Sequence, residues 1–288
     1  MGTIFDEVAI VGLGLIGGSF GLALKEYGLA SRRVGFGRLA TVGRALQAQA
    51  IDEGTDDLGK AVRDADLIVL AAPVGAILDC LPRLKDLAPP RALVTDVGST
   101  KAVICERARE TLGGQRLFLG GHPLAGKERA GVENAEAELF QKARYVLTPL
   151  AESHLEDPRV KAFISLITAM GARPHIMDPA RHDRALAFLS HLPQLLSSAL
   201  ASLVAQEGRE TRLPVELAAS GFRGMTRLAE SPYSVWHDIC FTNVDNIRQA
   251  LEDLVKKLEF MKQHLTGPEL EREFEQAAEL REKLRQTG

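Results

Sequence analysis

Val8-Ala9-Ile10-Val11-Gly12-Leu13-Gly14-Leu15-Ile16-Gly17-Gly18-Ser19 is a short apolar run that ends on glycines spaced G-x-G-x-x-G and opens into a second apolar segment. The run reads as a buried strand, and the glycines read as the turn joining it to a helix. Gly12 permits the tight turn, Gly14 lets the backbone approach a pyrophosphate, and Gly17 lets the helix pack closely on the sheet. Leu15 and Ile16 lead from the turn into that helix, whose positive end suits a phosphate. A glycine-rich turn without a ligand is the competing reading; the preceding strand and the following helix argue against it.

Outward from this point, short β-branched runs alternate with helical patterns, the signature of a parallel sheet with crossover helices. Strands are expected at 7–11, 33–36, 67–71, 92–96, 116–120 and 145–148, with a further one at 173–177. Helices are expected at 17–27, 39–50, 77–87 and 101–112. Past Asp178-Pro179 the strand signal stops, and 181–206, 215–229, 235–265 and 268–285 all read as helices. The expected fold is therefore α/β, a Rossmann-type parallel-sheet domain over residues 1–178 followed by an all-helical domain over residues 179–288.

Composition sets bounds on partners. The chain has 288 residues and a net charge of -3, with basic residues scattered along it, so nothing in its charge points to nucleic acid or an anionic membrane. Cys80, Cys105 and Cys240 have neither metal-ligand nor disulfide-framework spacing, so no metal is expected and a reducing cytoplasm is. The first residues lack a basic stretch ahead of the apolar run, which reads as no signal peptide. The apolar stretch 67–78 is broken by Pro73 and falls short of the ~20 residues that a membrane helix needs.

The end of the second strand chooses between nicotinamide cofactors. An acid there, about 20 residues past the glycines, would bond both ribose hydroxyls and repel a 2′-phosphate. This chain has Gly37 at that place and Arg38 beside it, which removes the repulsion and offers a guanidinium fork. NADP is the expected cofactor; an exposed Arg38 with NAD held through backbone groups is the alternative. Ala72 and Pro73, after the strand at 67–71, would form an apolar wall beside the ribose or nicotinamide. Ser99, after the strand at 92–96, could bond a substrate hydroxyl or cap the next helix. His122 follows the strand at 116–120, and an imidazole titrating near neutrality suits removal of a hydroxyl proton as hydride leaves the same carbon. His154, His175, His182, His237 and His264 show no comparable setting.

Five stretches then occur in one order: the glycine fingerprint through Ser19, Asp96-Val97-Gly98-Ser99-Thr100-Lys101, Gly121-His122-Pro123-Leu124-Ala125-Gly126-Lys127-Glu128, Ser190-His191-Leu192-Pro193, and Thr226-Arg227-Leu228-Ala229 through Trp236-His237-Asp238-Ile239. Together they resemble the prephenate dehydrogenase family, which includes arogenate and broad cyclohexadienyl dehydrogenases. The resemblance covers nearly the whole chain. It implies oxidative decarboxylation of prephenate to 4-hydroxyphenylpyruvate, or of arogenate to tyrosine, and a helical domain that forms a homodimer. It makes His122 the partner of the C4 hydroxyl, with Ser99 on the same hydroxyl, Arg227 on the ring carboxylate, and His191 and Trp236 supporting the pocket. Read without the family, Arg227 would be a surface or interdomain ion pair and His191 a core residue.

Two positions depart from the family pattern. Lys127 stands where a short residue is usual, close to the expected place of the substrate side chain; an ammonium there favours prephenate over arogenate by like-charge repulsion, unless it faces solvent or pairs with Glu128. Ser231-Pro232 replaces a more usual acidic residue before Trp236. Rival readings are a β-hydroxyacid dehydrogenase or imine reductase, for which no helical lysine motif stands in for His122, and a non-catalytic dinucleotide-binding redox sensor.

Overall fold

The apolar run that opens the chain is β1 (Phe5–Val11), whose Val8, Ala9 and Ile10 are wholly buried. The computed structural model of the chain describes residues 2–127, 129–211 and 215–286. Glu128, named above as a possible partner of Lys127, lies outside the described residues.

β1 is joined in one sheet by β2 (Ala30–Phe36), β3 (Glu53–Thr55), β4 (Leu67–Leu70), β5 (Leu93–Asp96), β6 (Leu117–Pro123), β7 (Arg144–Pro149) and β8 (Arg173–Ile176). Their order is β3-β2-β1-β4-β5-β6-β7-β8. The chain winds outward from β1 in both directions, so the order reverses between β1 and β4, where a crevice opens beyond the strand ends. Helices α1 (Leu15–Glu26), α2 (Leu39–Gln47), α3 (Leu58–Val62), α4 (Val74–Leu87), α5 (Ala102–Leu112) and α6 (Pro158–Ala169) accompany the sheet. Apolar side chains gather in two large clusters, as a sheet covered on both faces requires.

One pairing departs from the parallel pattern. β7 runs antiparallel to β6, with His122 opposite Val146 and Gly121 opposite Leu147, and β8 is parallel to β7. β5 pairs with β6 only as far as Thr95 and Leu119, whereas β7 pairs with it from Leu119 to Pro123. The antiparallel partner thus carries β6 past the end of β5. His122, expected in a loop after the strand, sits within it.

The second part of the chain is helical: α7 (Pro179–Leu186), a π turn (Ala187–His191), α8 (Leu192–Thr211), α9 (Ser220–Thr226), α10 (Tyr233–Thr242), α11 (Val244–Gln263) and α12 (Pro268–Gln286). Asp178 starts α7 by accepting the amides of Ala180 and Arg181 at 2.9 and 3.1 Å, with Pro179 in the first turn where no amide is needed. Asp157-Pro158 begins α6 in the same way, a helix the sequence reading passed over, as it did β3 and α3. Among the described residues the buried apolar side chains of this part are few, Leu186, Ala187, Ile239, Ile247 and Ala250, while Leu189, Leu203, Val255, Leu258 and Leu280 stand exposed. Among the described residues one helical stretch, Pro179–Arg209, is long and apolar enough to cross a membrane, a feature the reading of 67–78 did not anticipate. That stretch carries Asp183, whose carboxylate bonds the backbone of Lys101 and Ala102 in the sheet domain.

Candidate active site

Gly12 has φ +99, and a Cβ there would lie 2.4 Å from the Ala71 carbonyl oxygen, so the turn after β1 demands glycine twice over. Gly17 is as tightly held, 2.0 Å from the Gly12 carbonyl in the same sense, whereas Gly14 faces open space. This leaves Gly14, at the N-terminus of α1, on the wall of a cleft of about 590 Å³ lined also by Gly12, Gly37, Arg38, Ala72 and Pro73; Leu15 and Ile16, the first helical residues and expected at the cofactor, are not among its lining residues. Thr41 and Arg44, on the first turns of α2, line the same cleft and were not singled out from sequence. Residues three apart on a helix share a face, so Arg38, Thr41 and Arg44 could have been found by that spacing.

Beyond the end of β5 a buried charge pair organises the floor. Lys101 and Asp96 are both fully buried and ion-paired; the ammonium also donates to the Gly121 carbonyl at 2.8 Å, and Asp96 Oδ1 accepts the Gly121 amide at 3.0 Å. Gly98 donates to Asp96 Oδ2 at 2.8 Å. The charged atoms of the pair are therefore tied to the backbone of the residue just before Ser99 or just before His122, which a buried pair requires if it is not to be costly. Ser99 is half-buried in this loop. It does not cap α5: that helix starts after Lys101, and its free amides at Lys101 and Ala102 are taken by Asp183 at 2.7 and 2.9 Å.

Asp183 also brings an imidazole with it. Its Oδ1 lies 2.7 Å from His182 Nδ1, and His182 Nε2 lies 2.9 Å from His122 Nδ1. A carboxylate only accepts, so His182 carries its proton on Nδ1 and presents Nε2 as an acceptor; His122 must then donate from Nδ1, which leaves His122 Nε2 with a free lone pair. Burial first, then His182, Lys101 and His191, holds His122 well below the usual imidazole range. It is a neutral ring with its accepting nitrogen defined. The adjacent Asp183 is the one local signal that could have marked His182, which the sequence places in no special setting; His122 comes from a strand sixty residues away.

His191 joins this group through a local irregularity. In a straight α-helix His182 and His191, nine residues apart, would face opposite sides; the extra residue of a π turn rotates the second by about 100°. The turn falls just before Pro193, which has no amide for the carbonyl four residues back. His191 is buried, its pKa lowered to about 4 by burial, and its Nδ1 lies 3.2 Å from Asn243 Nδ2, which also donates to the Asp183 carbonyl at 2.8 Å. Asn243 is why the expected single helix over 235–265 breaks into α10 and α11: it leaves the helical conformation, with φ −126 and ψ 28, and its amide is spent inside. Trp236 stands edge-on to His191 at 5.9 Å and donates to Ser231 Oγ at 2.9 Å. Arg227 is exposed at the start of a 3-10 turn, Arg227–Glu230, which Gln194 of α8 holds by donating to the Leu228 carbonyl at 2.8 Å. Lys127 pairs with Glu136 at 2.5 Å and donates to the Asn134 carbonyl at 3.3 Å, a partner that neither sequence alternative named. Among the described residues no cluster of three or more His, Cys, Asp or Glu could hold a metal ion.

A dinucleotide cleft at the switch point of the sheet, with an oriented neutral imidazole on a neighbouring strand end, defines a nicotinamide-dependent dehydrogenase. Comparison with known proteins narrows the class. Residues 20–176 match the family model of the prephenate dehydrogenase nucleotide-binding domain, and residues 178–286 that of the prephenate dehydrogenase dimerization domain. The prephenate dehydrogenase of Bacillus subtilis (strain 168) is 31% identical over 100% of this chain and 79% of its own length. Among solved structures, Synechocystis arogenate dehydrogenase has a TM-score of 0.81 at 33% identity, covering 96% of this chain and 99% of that one. Prephenate dehydrogenase from A. aeolicus, in complex with hydroxyphenyl propionate and NAD+, has a TM-score of 0.86 at 29% identity, covering 98% of each chain. The chain belongs to the prephenate dehydrogenase family.

Proposed function

We propose that the chain oxidatively decarboxylates prephenate to 4-hydroxyphenylpyruvate in tyrosine biosynthesis. The observation that carries this reading is the Asp183–His182–His122 chain, which leaves one accepting nitrogen on a neutral imidazole. His122 Nε2 takes the C4 hydroxyl proton, with Ser99 on the same oxygen. A dinucleotide held at Gly12, Gly14 and Arg38 would supply the acceptor for the hydride leaving that carbon. Loss of the ring carboxylate as carbon dioxide returns its electron pair to the ring, which becomes aromatic. Arg227 engages that carboxylate, and His191 and Trp236 back the pocket.

The family also contains arogenate and cyclohexadienyl dehydrogenases. Lys127 was the sequence argument for prephenate, and its pairing with Glu136 offsets much of the charge on which that argument rests. Prephenate is retained on the likeness to the curated relative, and arogenate is the second substrate to test. NADP is the preferred cofactor on the strength of Gly37, Arg38, Thr41 and Arg44 around one end of the cleft, with Gly37 and Arg38 in place of an acid at the end of β2; Asp56, just after β3, lines the same end and is the one acidic lining residue there, opposing a 2′-phosphate. Residues 1–178 form the dinucleotide domain and residues 179–288 the helical one. The thin core and exposed apolar stripes of the latter support a homodimer formed through it. The three free cysteines accord with a cytoplasmic enzyme.

The deciding assay is reduced-cofactor formation with prephenate or arogenate against NAD or NADP. Turnover of prephenate with NADP is expected. Turnover with arogenate alone or NAD alone would retain the family chemistry and overturn that one choice. No turnover in any combination by folded protein would favour another dehydrogenase substrate or the redox sensor.

A further inference from the structure

Asp238 and Thr242 are four residues apart on α10 and so lie on one face of it. Each bonds to a different part of the dinucleotide domain. Asp238 Oδ2 accepts the Gly75 amide at 2.8 Å, and Thr242 Oγ1 lies 2.8 Å from Thr100 Oγ1. Gly75 is the second residue of α4, which begins directly after the Ala72-Pro73 wall of the cleft; Thr100 directly follows Ser99. The two bonded points are therefore the support of the nicotinamide side and the support of the hydroxyl side of the site.

The chemistry of both contacts is specific. Pro73 occupies the N-cap of α4 and brings no capping side chain, so the helix takes its cap from Asp238, 163 residues away in sequence. A Cβ at position 75 would stand 3.1 Å from the carboxylate oxygen, so glycine there is what lets the acid approach. His237 Nδ1 lies 2.9 Å from the other oxygen of Asp238, and both His237 and the Gly75 amide hold the carboxyl below its usual range. Thr242 donates to the Asp238 carbonyl at 2.7 Å, so its hydroxyl proton is spent and Thr100 is the donor between the two threonines.

We propose that this face of α10 is a two-point brace that sets the distance between the nicotinamide and the substrate hydroxyl, with Asp238 as a positioning residue for hydride transfer. Its kinetic readout rests on the function proposed above. Hydride transfer needs donor and acceptor carbons at near-attack distance, and small misplacements are expensive in rate. A brace attached to both points fixes that distance from outside the reacting groups.

The test combines amide hydrogen exchange over the segment containing Gly75 with steady-state kinetics on prephenate and on prephenate deuterated at C4. Asp238→Ala is expected to lose protection at Gly75, to lower kcat about tenfold with KM for prephenate within about threefold, and to raise the isotope effect on kcat as the chemical step becomes limiting. Asp238→Asn, whose amide oxygen still accepts from Gly75, should recover most of kcat. Thr242→Val should move the same quantities in the same direction and stands in if Asp238→Ala does not fold. Lost protection with unchanged kcat and isotope effect would overturn the proposal. So would a fall in kcat that only tracks the folded fraction, with no rise in isotope effect and no recovery in Asp238→Asn. If the wild-type protein turns over neither prephenate nor arogenate, the functional reading fails and the brace is judged on NADP affinity: severalfold weakening in Asp238→Ala supports it, and unchanged affinity overturns it.

Discussion

Replacing His182 by leucine removes the acceptor that fixes the proton of His122. In the wild-type protein His122 Nδ1 lies 2.9 Å from His182 Nε2; His182 is fully buried and His122 half-buried, with its Nδ1 turned to the buried ring. A ring N–H left there without a partner costs about 1–3 kcal/mol. The imidazole escapes that cost by moving its proton to Nε2, where it can no longer accept from the substrate hydroxyl. The competent tautomer then falls by a factor of about 5 to 150, at 1.36 kcal/mol per tenfold, and kcat should fall with it. His122→Asn, which removes the base altogether, bounds the effect at about 10²–10⁴. Asp183 keeps the amides of Lys101 and Ala102 in the leucine variant, so the domain contact survives and KM should change little. His182→Gln offers an acceptor towards His122 and a donor towards Asp183, and should restore much of the rate. The assay is kcat and KM at saturating dinucleotide, with ring ¹⁵N shifts of labelled histidine reporting the tautomer. Full kcat in His182→Leu, or equal loss in the leucine and glutamine variants, would refute the reasoning.

Burial and the neighbouring His182, Lys101 and His191 depress the pKa of His122, so it remains an unprotonated base below pH 6.5, and the acid limb of kcat/KM is expected below that value; a limb at or above it would remove His122 as the base. The same depression, with His191 at about 4, means that the unfolded chain binds protons the native one refuses. Stability from these rings is complete above pH 6.5 and declines as pH falls below it, which urea midpoints between pH 5 and 7.5 would measure. Arg38→Ala and Arg44→Ala should each raise KM for NADP by about tenfold, the order of one charge-assisted contact, and leave KM for NAD within about twofold; equal effects on both cofactors would place the 2′-phosphate elsewhere. Arg227→Ala should chiefly raise KM for prephenate, and an unchanged KM would take Arg227 off the ring carboxylate.

Much of this protein is written locally. β1 and its glycines, the apolar strands and the Asp178-Pro179 helix start follow from periodicity, from φ-permissive residues and from capping chemistry, all of which act within a few residues. His122 and Ser99 were legible for the same reason, as polar residues at the ends of apolar strands. Tertiary structure decided what depends on distant partners. The antiparallel β7 carried β6 through His122; Asp183 replaced Ser99 as the cap of α5; Glu136 took Lys127. His182 became part of the site only because Asp183 docks α7 on the start of α5, beside β6, and His191 faces it only because a π turn shifts the helix by one residue. The physical difference is range. Propensity, caps and patterning are settled by neighbours in sequence, whereas the proton on His122 is settled by a carboxylate that folding alone brings within reach.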